Sequence, residues 1–128
     1  MKKVVFVGSG AIGTAIGNVL ARKGVDDITL LSIEEEVVES INTQRYNLTY
    51  FPNVKLSRNL KASTNIEILK EADVVFMAIP STAVVGYLFE NKEYINPKSI
   101  IVNLAKGFGK GDRLIPNCLV DDFANPLM

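Results

Sequence analysis

The sequence predicts one α/β domain built on a doubly wound, mainly parallel sheet with helices on both faces. Three observations carry that expectation. Short apolar runs alternate with stretches of helical periodicity, which is the pattern of βα units joined by right-handed crossovers. Two of the runs, VVFV at 4–7 and DVVFMAI at 73–79, lack polar alternation, as do strands covered on both faces. No repeat, low-complexity tract or Gly/Ser/Pro-rich linker divides the 128 residues. A chain of this length, 48% hydrophobic and 22% charged, has the composition of a globular domain. It buries roughly two thirds of its unfolded surface without a disulfide or metal.

The elements follow in order. VVFV at 4–7 is the first strand, ended by Gly8. Ala11 to Lys23 is a helix with Ile12, Ile16, Val19 and Leu20 on its inward face, closed by a basic last turn and Gly24. ITLLS at 28–32 is the second strand. Glu34 to Thr43 is the second helix, its three leading glutamates placed where the macrodipole favours them and Val37, Val38 and Ile41 turned inward. From Arg45 to Asn59 the periodicity breaks around Tyr46, Tyr50, Phe51 and Pro52, and a structured loop of functional interest is expected. Lys61 to Ser63 is a short strand, Asn65 to Glu71 a short helix, and 73–79 a strand stopped by Pro80. Ser81 is placed to cap a helix running to Phe89, and SIIVNLA at 99–105 is the last clear strand.

Composition narrows the chemistry. Fourteen basic and fourteen acidic residues leave no net charge, so no overall basic field draws in nucleic acid or anionic lipid. There is no His, which removes the commonest general base and leaves neither a histidine triad nor a histidine zinc site. Asp121 and Asp122 read as a solvated pair without a third ligand nearby, and no metal site is expected. The lone Cys118, among Leu114, Ile115 and Leu119, reads as a small buried hydrophobe. With an apolar start too short for a signal peptide or membrane span, it points to a cytoplasmic protein.

The chemically informative segment is Gly8-Ser9-Gly10-Ala11-Ile12-Gly13, a G-x-G-x-x-G between the first strand and first helix. Gly8 permits the tight turn, Gly10 lets a pyrophosphate approach the backbone, and Gly13 allows close packing of helix on strand, with phosphate oxygens at the helix N-terminus. The pattern predicts a Rossmann-type dinucleotide site. An acid that would hold the ribose hydroxyls of NAD is expected at the end of the second strand, where Ser32 and Ile33 stand and the acids begin only at Glu34. A 2′-phosphate of NADP would meet three carboxylates there and no cation. NAD or NADP therefore fits, with the charge leaning to NAD. Lys106 follows the end of the last strand, beside the crevice where open α/β sheets bind ligands. There it could neutralise a phosphate or polarise a carbonyl. Arg45 and Asn47 could equally face this crevice or brace their own loop, and Asp73 reads as a strand-entry residue.

GSGAIGTAIGNVLARKG, INTQRYNLTYFPNVKL, ADVVFMAIPS and NLAKGF, in that order, resemble the N-terminal domain of the NAD(P)-dependent glycerol-3-phosphate dehydrogenases. The likeness covers about residues 3–120, nearly the whole chain. The I-N-x-x-R-x-N segment, the P-S turn and the K-G pair are more specific than the glycine loop. The resemblance implies hydride transfer between NAD(P)H and dihydroxyacetone phosphate or sn-glycerol 3-phosphate, supplying glycerophospholipid precursors. It further implies that the backbone of Gly8 to Gly13 holds the pyrophosphate, Ile33 lies against the adenine, Pro80 and Ala83 line the nicotinamide end, and Lys106 meets both cofactor and substrate. Two positions depart from the family pattern: Ile33, commonly basic or aromatic, and Ile12, often aromatic.

In that family a second, helical domain carries the general acid/base lysine and most of the substrate-phosphate ligands, and the full-length enzyme is expected to be a homodimer. No catalytic residue is therefore expected within this chain, which alone should bind dinucleotide and turn over little substrate. The alternative is a stand-alone dinucleotide-binding regulatory module without catalysis.

Overall fold

The computed structural model of the protein describes residues 3–25, 27–104, 108–110 and 113–114. In chain order these form β1 (Val4–Val7), α1 (Ala11–Arg22), β2 (Ile28–Leu31), α2 (Glu35–Glu39), β3 (Leu60–Ser63), β4 (Val74–Met77), α3 (Ser81–Glu90), β5 (Ile100–Asn103), β6 (Phe108–Lys110) and β7 (Arg113–Leu114). β1 to β5 make one wholly parallel sheet of order β3-β2-β1-β4-β5, and β6 with β7 makes a separate antiparallel pair. The order reverses between β1 and β4, the place where such sheets open a ligand crevice.

Strand alternation sends side chains to two cores. Val4 and Phe6 of β1, Ile28 and Leu30 of β2, and Leu60 and Ala62 of β3 pack beneath the first two helices, with Ala21, Val37 and Ile41. Val5, Val7, Leu31, Val75 and Met77 point to the other face, under Leu69, Val84, Leu88 and Ile95. β1 and β2 are buried along their whole length, as expected of central parallel strands. β4 is covered fully only toward α3; Val74 and Phe76 on its other face are half-buried, because α1 and α2 lie over β1, β2 and β3. The expectation of a strand buried on both faces thus holds for β1 and only half for β4.

The inward face of α1 also differs from the expected one. Ile12 and Val19 are 64% and 51% exposed, and the buried residues are Gly13, Thr14, Gly17, Asn18 and Ala21. Size decides here, not hydropathy. A Cβ on Gly17 would lie 3.2 Å from Leu60 and 3.3 Å from Leu30, so the helix rides too close to the sheet for a larger side chain, and Ile16 and Leu20 fill its flanks.

The second helix is α-helical only over Glu35–Glu39 and continues as a π-helical turn, Ser40–Gln44. The segment after β3 is a 3-10 helix, Ile66–Glu71, capped by the Asn65 side chain, which accepts the Glu67 N–H. Pro80, not Ser81, occupies the N-cap of α3. Asp73 is the strand-entry residue expected: its carboxylate accepts the Lys3 N–H at 2.8 Å and its carbonyl the Ile100 N–H at 2.9 Å, tying β1, β4 and β5 at one end. Lys106, Cys118, Asp121 and Asp122 lie outside the described residues.

Candidate functional site

The three glycines of the turn have separate physical requirements. Gly8 has φ +112°, and a Cβ there would meet the Ala78 carbonyl oxygen at 2.5 Å. Gly13 would bring a Cβ to 3.0 Å from the Gly8 carbonyl oxygen and 3.1 Å from the Ala78 methyl, so its missing side chain sets how closely α1 rests on the β1 and β4 ends. Gly10 is unlike both, since a Cβ there would meet no atom of the described residues within 4 Å and its φ is an ordinary −74°. Nothing among the described residues demands glycine at this position. What it provides is bare backbone at the head of α1, a helix of 12 residues with neither a side-chain cap nor an acid in its first turn. Such an end accepts an anion.

Beside this end lies a cleft of about 620 Å³ lined by Gly10, Ala11, Ile12, Ala78, Ile79, Pro80, Ser81 and Leu104. Its walls come from the carboxyl ends of β1, β4 and β5, at the reversal of strand order. Of the residues singled out in the sequence, Gly10, Ala11, Ile12 and Pro80 stand on this wall. Ile12, expected inside, is an exposed apolar residue on the cleft rim. Ala83 lies in the first turn of α3, its N–H donating to the Pro80 carbonyl at 2.9 Å, and is not part of the wall. Ser9 is turned inward and buried. Ile33, beyond the end of β2, is 95% exposed.

The long loop resolves what Arg45 and Asn47 do, and both brace. The Arg45 guanidinium donates to the carbonyls of Ser57 and Leu60, and its backbone is left-handed at φ 62°. Asn42 pairs both ways with the backbone of Ala62, its Nδ2 donating to the carbonyl and its Oδ1 accepting the N–H, each at 2.9 Å, so its amide closes the open edge of β3. Asn47 is fully buried and reaches the glycine turn: Nδ2 donates to the Ser9 carbonyl at 2.7 Å and to Thr14 Oγ1 at 2.9 Å, while Oδ1 accepts the Tyr50 N–H. Sequence reasoning left Asn47 between two roles and passed over Thr14. The signal that could have found them is a buried polar position two residues past a left-handed turn and a Thr within the first turn of α1.

Removal of this side chain should be felt through the turn. Asn47→Ala takes from the Ser9 carbonyl the shorter of its two side-chain donors, the Thr14 hydroxyl remaining, and leaves the Tyr50 N–H without its side-chain acceptor; a loss of about 2 kcal/mol of stability is expected in urea unfolding, with the slope unchanged. An unaltered midpoint would dismiss Asn47 as the brace of the turn.

At the end of β2, the Ser9 hydroxyl donates to Ser32 Oγ at 2.8 Å, and Ser32 Oγ also accepts the Glu34 N–H at 3.0 Å. The Tyr50 hydroxyl donates to Glu34 Oε1 at 2.7 Å, and this bond raises the Tyr50 phenol above its ordinary range. Among the described residues, no group of three or more His, Cys, Asp and Glu could hold a metal ion, and no helix is long and apolar enough to cross a membrane.

The family model described as the NAD-dependent glycerol-3-phosphate dehydrogenase N-terminus matches residues 3–126. A glycerol-3-phosphate dehydrogenase [NAD(P)+] of Carboxydothermus hydrogenoformans is 42% identical over 113 residues, 88% of this chain and 33% of that protein. One of Bacillus subtilis is 34% identical over 108 residues, 84% of this chain and 31% of that protein. The crystal structure of glycerol-3-phosphate dehydrogenase from Coxiella burnetii superposes with TM-score 0.85 at 29% identity, over 96% of this chain and 38% of that one. The chain spans about a third of the length of the curated relatives it matches.

Proposed function

The chain belongs to the family of NAD-dependent glycerol-3-phosphate dehydrogenase N-terminal domains, and on that premise we propose that it is the dinucleotide-binding part of such an enzyme. The observation that carries the reading is Gly10, whose missing Cβ faces open space at an uncapped helix end beside the cleft. At an uncapped helix end beside a cleft, a glycine leaves the backbone open to the close approach of a pyrophosphate. The backbone of Gly8, Ser9, Gly10, Ala11, Ile12 and Gly13 would hold the pyrophosphate of NAD or NADP. Ile33 would lie against the adenine, and Pro80 and Ala83 would border the nicotinamide. Titration of the chain with NADH, followed by nicotinamide fluorescence, is expected to show saturable binding at one site per chain. No binding at millimolar NADH would end the reading.

When bound, the nicotinamide donates or accepts the hydride; the chain's own residues orient it. The apolar wall of Ala11, Ile12, Ala78, Ile79 and Leu104 keeps water from one side of the cleft. Lys106, three residues past β5 in the sequence, would meet a substrate phosphate or the carbonyl oxygen on which charge develops. The general acid/base lysine and the remaining ligands of dihydroxyacetone phosphate or glycerol 3-phosphate belong, on this reading, to the two thirds of the relatives that the chain does not span. A helical substrate domain there would complete a cytoplasmic homodimeric enzyme that feeds phospholipid synthesis, and this chain alone would be inactive. It would need no nucleic acid and no membrane. The family match weighs against a stand-alone regulatory module.

In a polypeptide carrying both domains, Lys106→Ala is expected to lower kcat/KM by about a hundredfold or more, about 3 kcal/mol of transition-state stabilisation, with the melting temperature unchanged. Near-normal turnover would remove Lys106 from the site.

A further inference from the structure

We propose that Asn47 and Thr14 are positioning residues for the pyrophosphate: together they hold the Ser9 carbonyl inside the protein, so that the turn at the head of α1 offers the anion N–H groups rather than a carbonyl oxygen. The proposal rests on the dinucleotide reading of the glycine turn. It gives a part in binding to two side chains buried behind that turn.

A helix start holds an anion through its unpaired N–H groups, and the peptide just before it can spoil the site, because a carbonyl oxygen carries the opposite partial charge. Here that peptide joins Ser9 to Gly10. Its oxygen accepts from Asn47 Nδ2 at 2.7 Å and from Thr14 Oγ1 at 3.3 Å, which occupies both of its lone pairs. Asn47 Nδ2 also donates to Thr14 Oγ1 at 2.9 Å, closing a triangle of three polar groups. Asn47 and Thr14 are wholly buried, and Ser9 is nearly so. The peptide is trans, so the Gly10 N–H points opposite to the Ser9 carbonyl and away from the triangle. Gly10 itself stands on the wall of the cleft.

Each member of the triangle is fixed by a further bond. Asn47 Oδ1 accepts the Tyr50 N–H at 3.1 Å, which leaves the amide nitrogen as the end that faces Ser9. The Thr14 N–H donates to the Gly10 carbonyl at 3.0 Å, so the next carbonyl along the chain is turned in as well. The Ser9 hydroxyl donates to Ser32 Oγ at 2.8 Å, anchoring the residue from its other side. Rotation of the Ser9–Gly10 peptide would take the acceptor from two buried donors, which is costly. Turned over, the peptide would set the negative end of its dipole against the phosphate oxygens. The triangle therefore does more than tie the long loop to the turn: it decides which end of one peptide dipole faces the cleft.

The test is NMR titration of the ¹⁵N-labelled chain with ADP, which carries the pyrophosphate, and with adenosine, which carries none. Three uncharged variants are compared, so that no charge changes near the anion. Asn47→Ala is expected to raise the dissociation constant for ADP by about tenfold or more, the worth of one charge-assisted hydrogen bond, and that for adenosine by less than about twofold. Thr14→Val, which removes the hydroxyl at nearly constant shape, should weaken ADP several-fold and leave adenosine unchanged. Thr14→Ser, which restores the hydroxyl, should bind ADP as the unaltered chain does. ADP should move the amide protons of Gly10, Ala11 and Ile12 downfield in the unaltered chain and in Thr14→Ser, and less so in the other two. Unchanged ADP affinity in both Asn47→Ala and Thr14→Val would overturn the proposal. Parallel weakening of ADP and adenosine would do the same, reducing Asn47 to a brace of the fold. If Asn47→Ala does not fold, the Thr14 pair decides alone: loss with Val and retention with Ser uphold the proposal, and equal affinities overturn it. If neither ligand binds the unaltered chain, the dinucleotide reading itself falls and this proposal falls with it; ADP bound equally well by chain and variants overturns the positioning alone.

Discussion

Gly10→Val is expected to abolish NADH binding, raising the dissociation constant at least about a hundredfold, or ~2.7 kcal/mol, while the protein melts within about 3 °C of the unaltered chain. The two halves of that result have one cause. The added Cβ would meet no atom of the described residues within 4 Å, and the backbone at φ −74° suits any residue. Its effect on stability is limited to the helix start, where exchanging a glycine N-cap for an apolar residue costs about 1 kcal/mol or less. The space it fills is the approach to the α1 N-terminus, where bare N–H groups and the helix dipole are available to a pyrophosphate. Two branched methyls would hold phosphate oxygens beyond hydrogen-bond distance. Calorimetric titration beside a thermal melt reads both quantities from one preparation. Retained affinity would mean the pyrophosphate does not pass over Gly10, and the site would have to be sought elsewhere along the cleft.

The glycine turn and the strands around it were legible because each local signal had one dominant cause. A strand buried on both faces has to be apolar throughout, and VVFV at 4–7 is. Legibility fell where size or tertiary contact outweighed hydropathy. The inward face of α1 was misjudged because Ile12 and Val19 look like core residues, whereas the closeness of the helix to the sheet admits only Gly13, Gly17 and Ala21 with the small polar Thr14 and Asn18. The roles of Asn42, Arg45 and Asn47 were unreadable for a related reason. Each binds backbone groups 12 to 38 residues distant, and neither propensity nor periodicity encodes a partner so far along the chain. Ile33 and Glu34 sit between these cases. Their positions past β2 followed from counting residues, but the anchoring of Glu34 by Tyr50 needed the loop in place.

Gly8→Ala, two residues before Gly10 in the same turn, is expected to do the opposite and lower stability by about 3 kcal/mol or more, a fall of at least about 10 °C in melting temperature. Two costs add at this position. At φ +112° the backbone is in a region that L-residues rarely occupy, and the new methyl would stand 2.5 Å from the Ala78 carbonyl oxygen. That oxygen cannot rotate away as a side chain would. Ala78 is tied to β1 by its N–H, which donates to the Val7 carbonyl at 2.9 Å, and the Gly8 N–H is tied to the Leu31 carbonyl at the same distance. Relief requires β1 and β4 to part at the mouth of the cleft. Stability totals of about 5–15 kcal/mol for a domain leave little margin for such a loss. Gly8→Asn separates the two costs, because Asn tolerates positive φ better than Ala but carries the same Cβ. If the collision with Ala78 dominates, Asn should rescue little of what Ala loses; full rescue by Asn would place the cost in the backbone angle and leave the strand ends free to adjust.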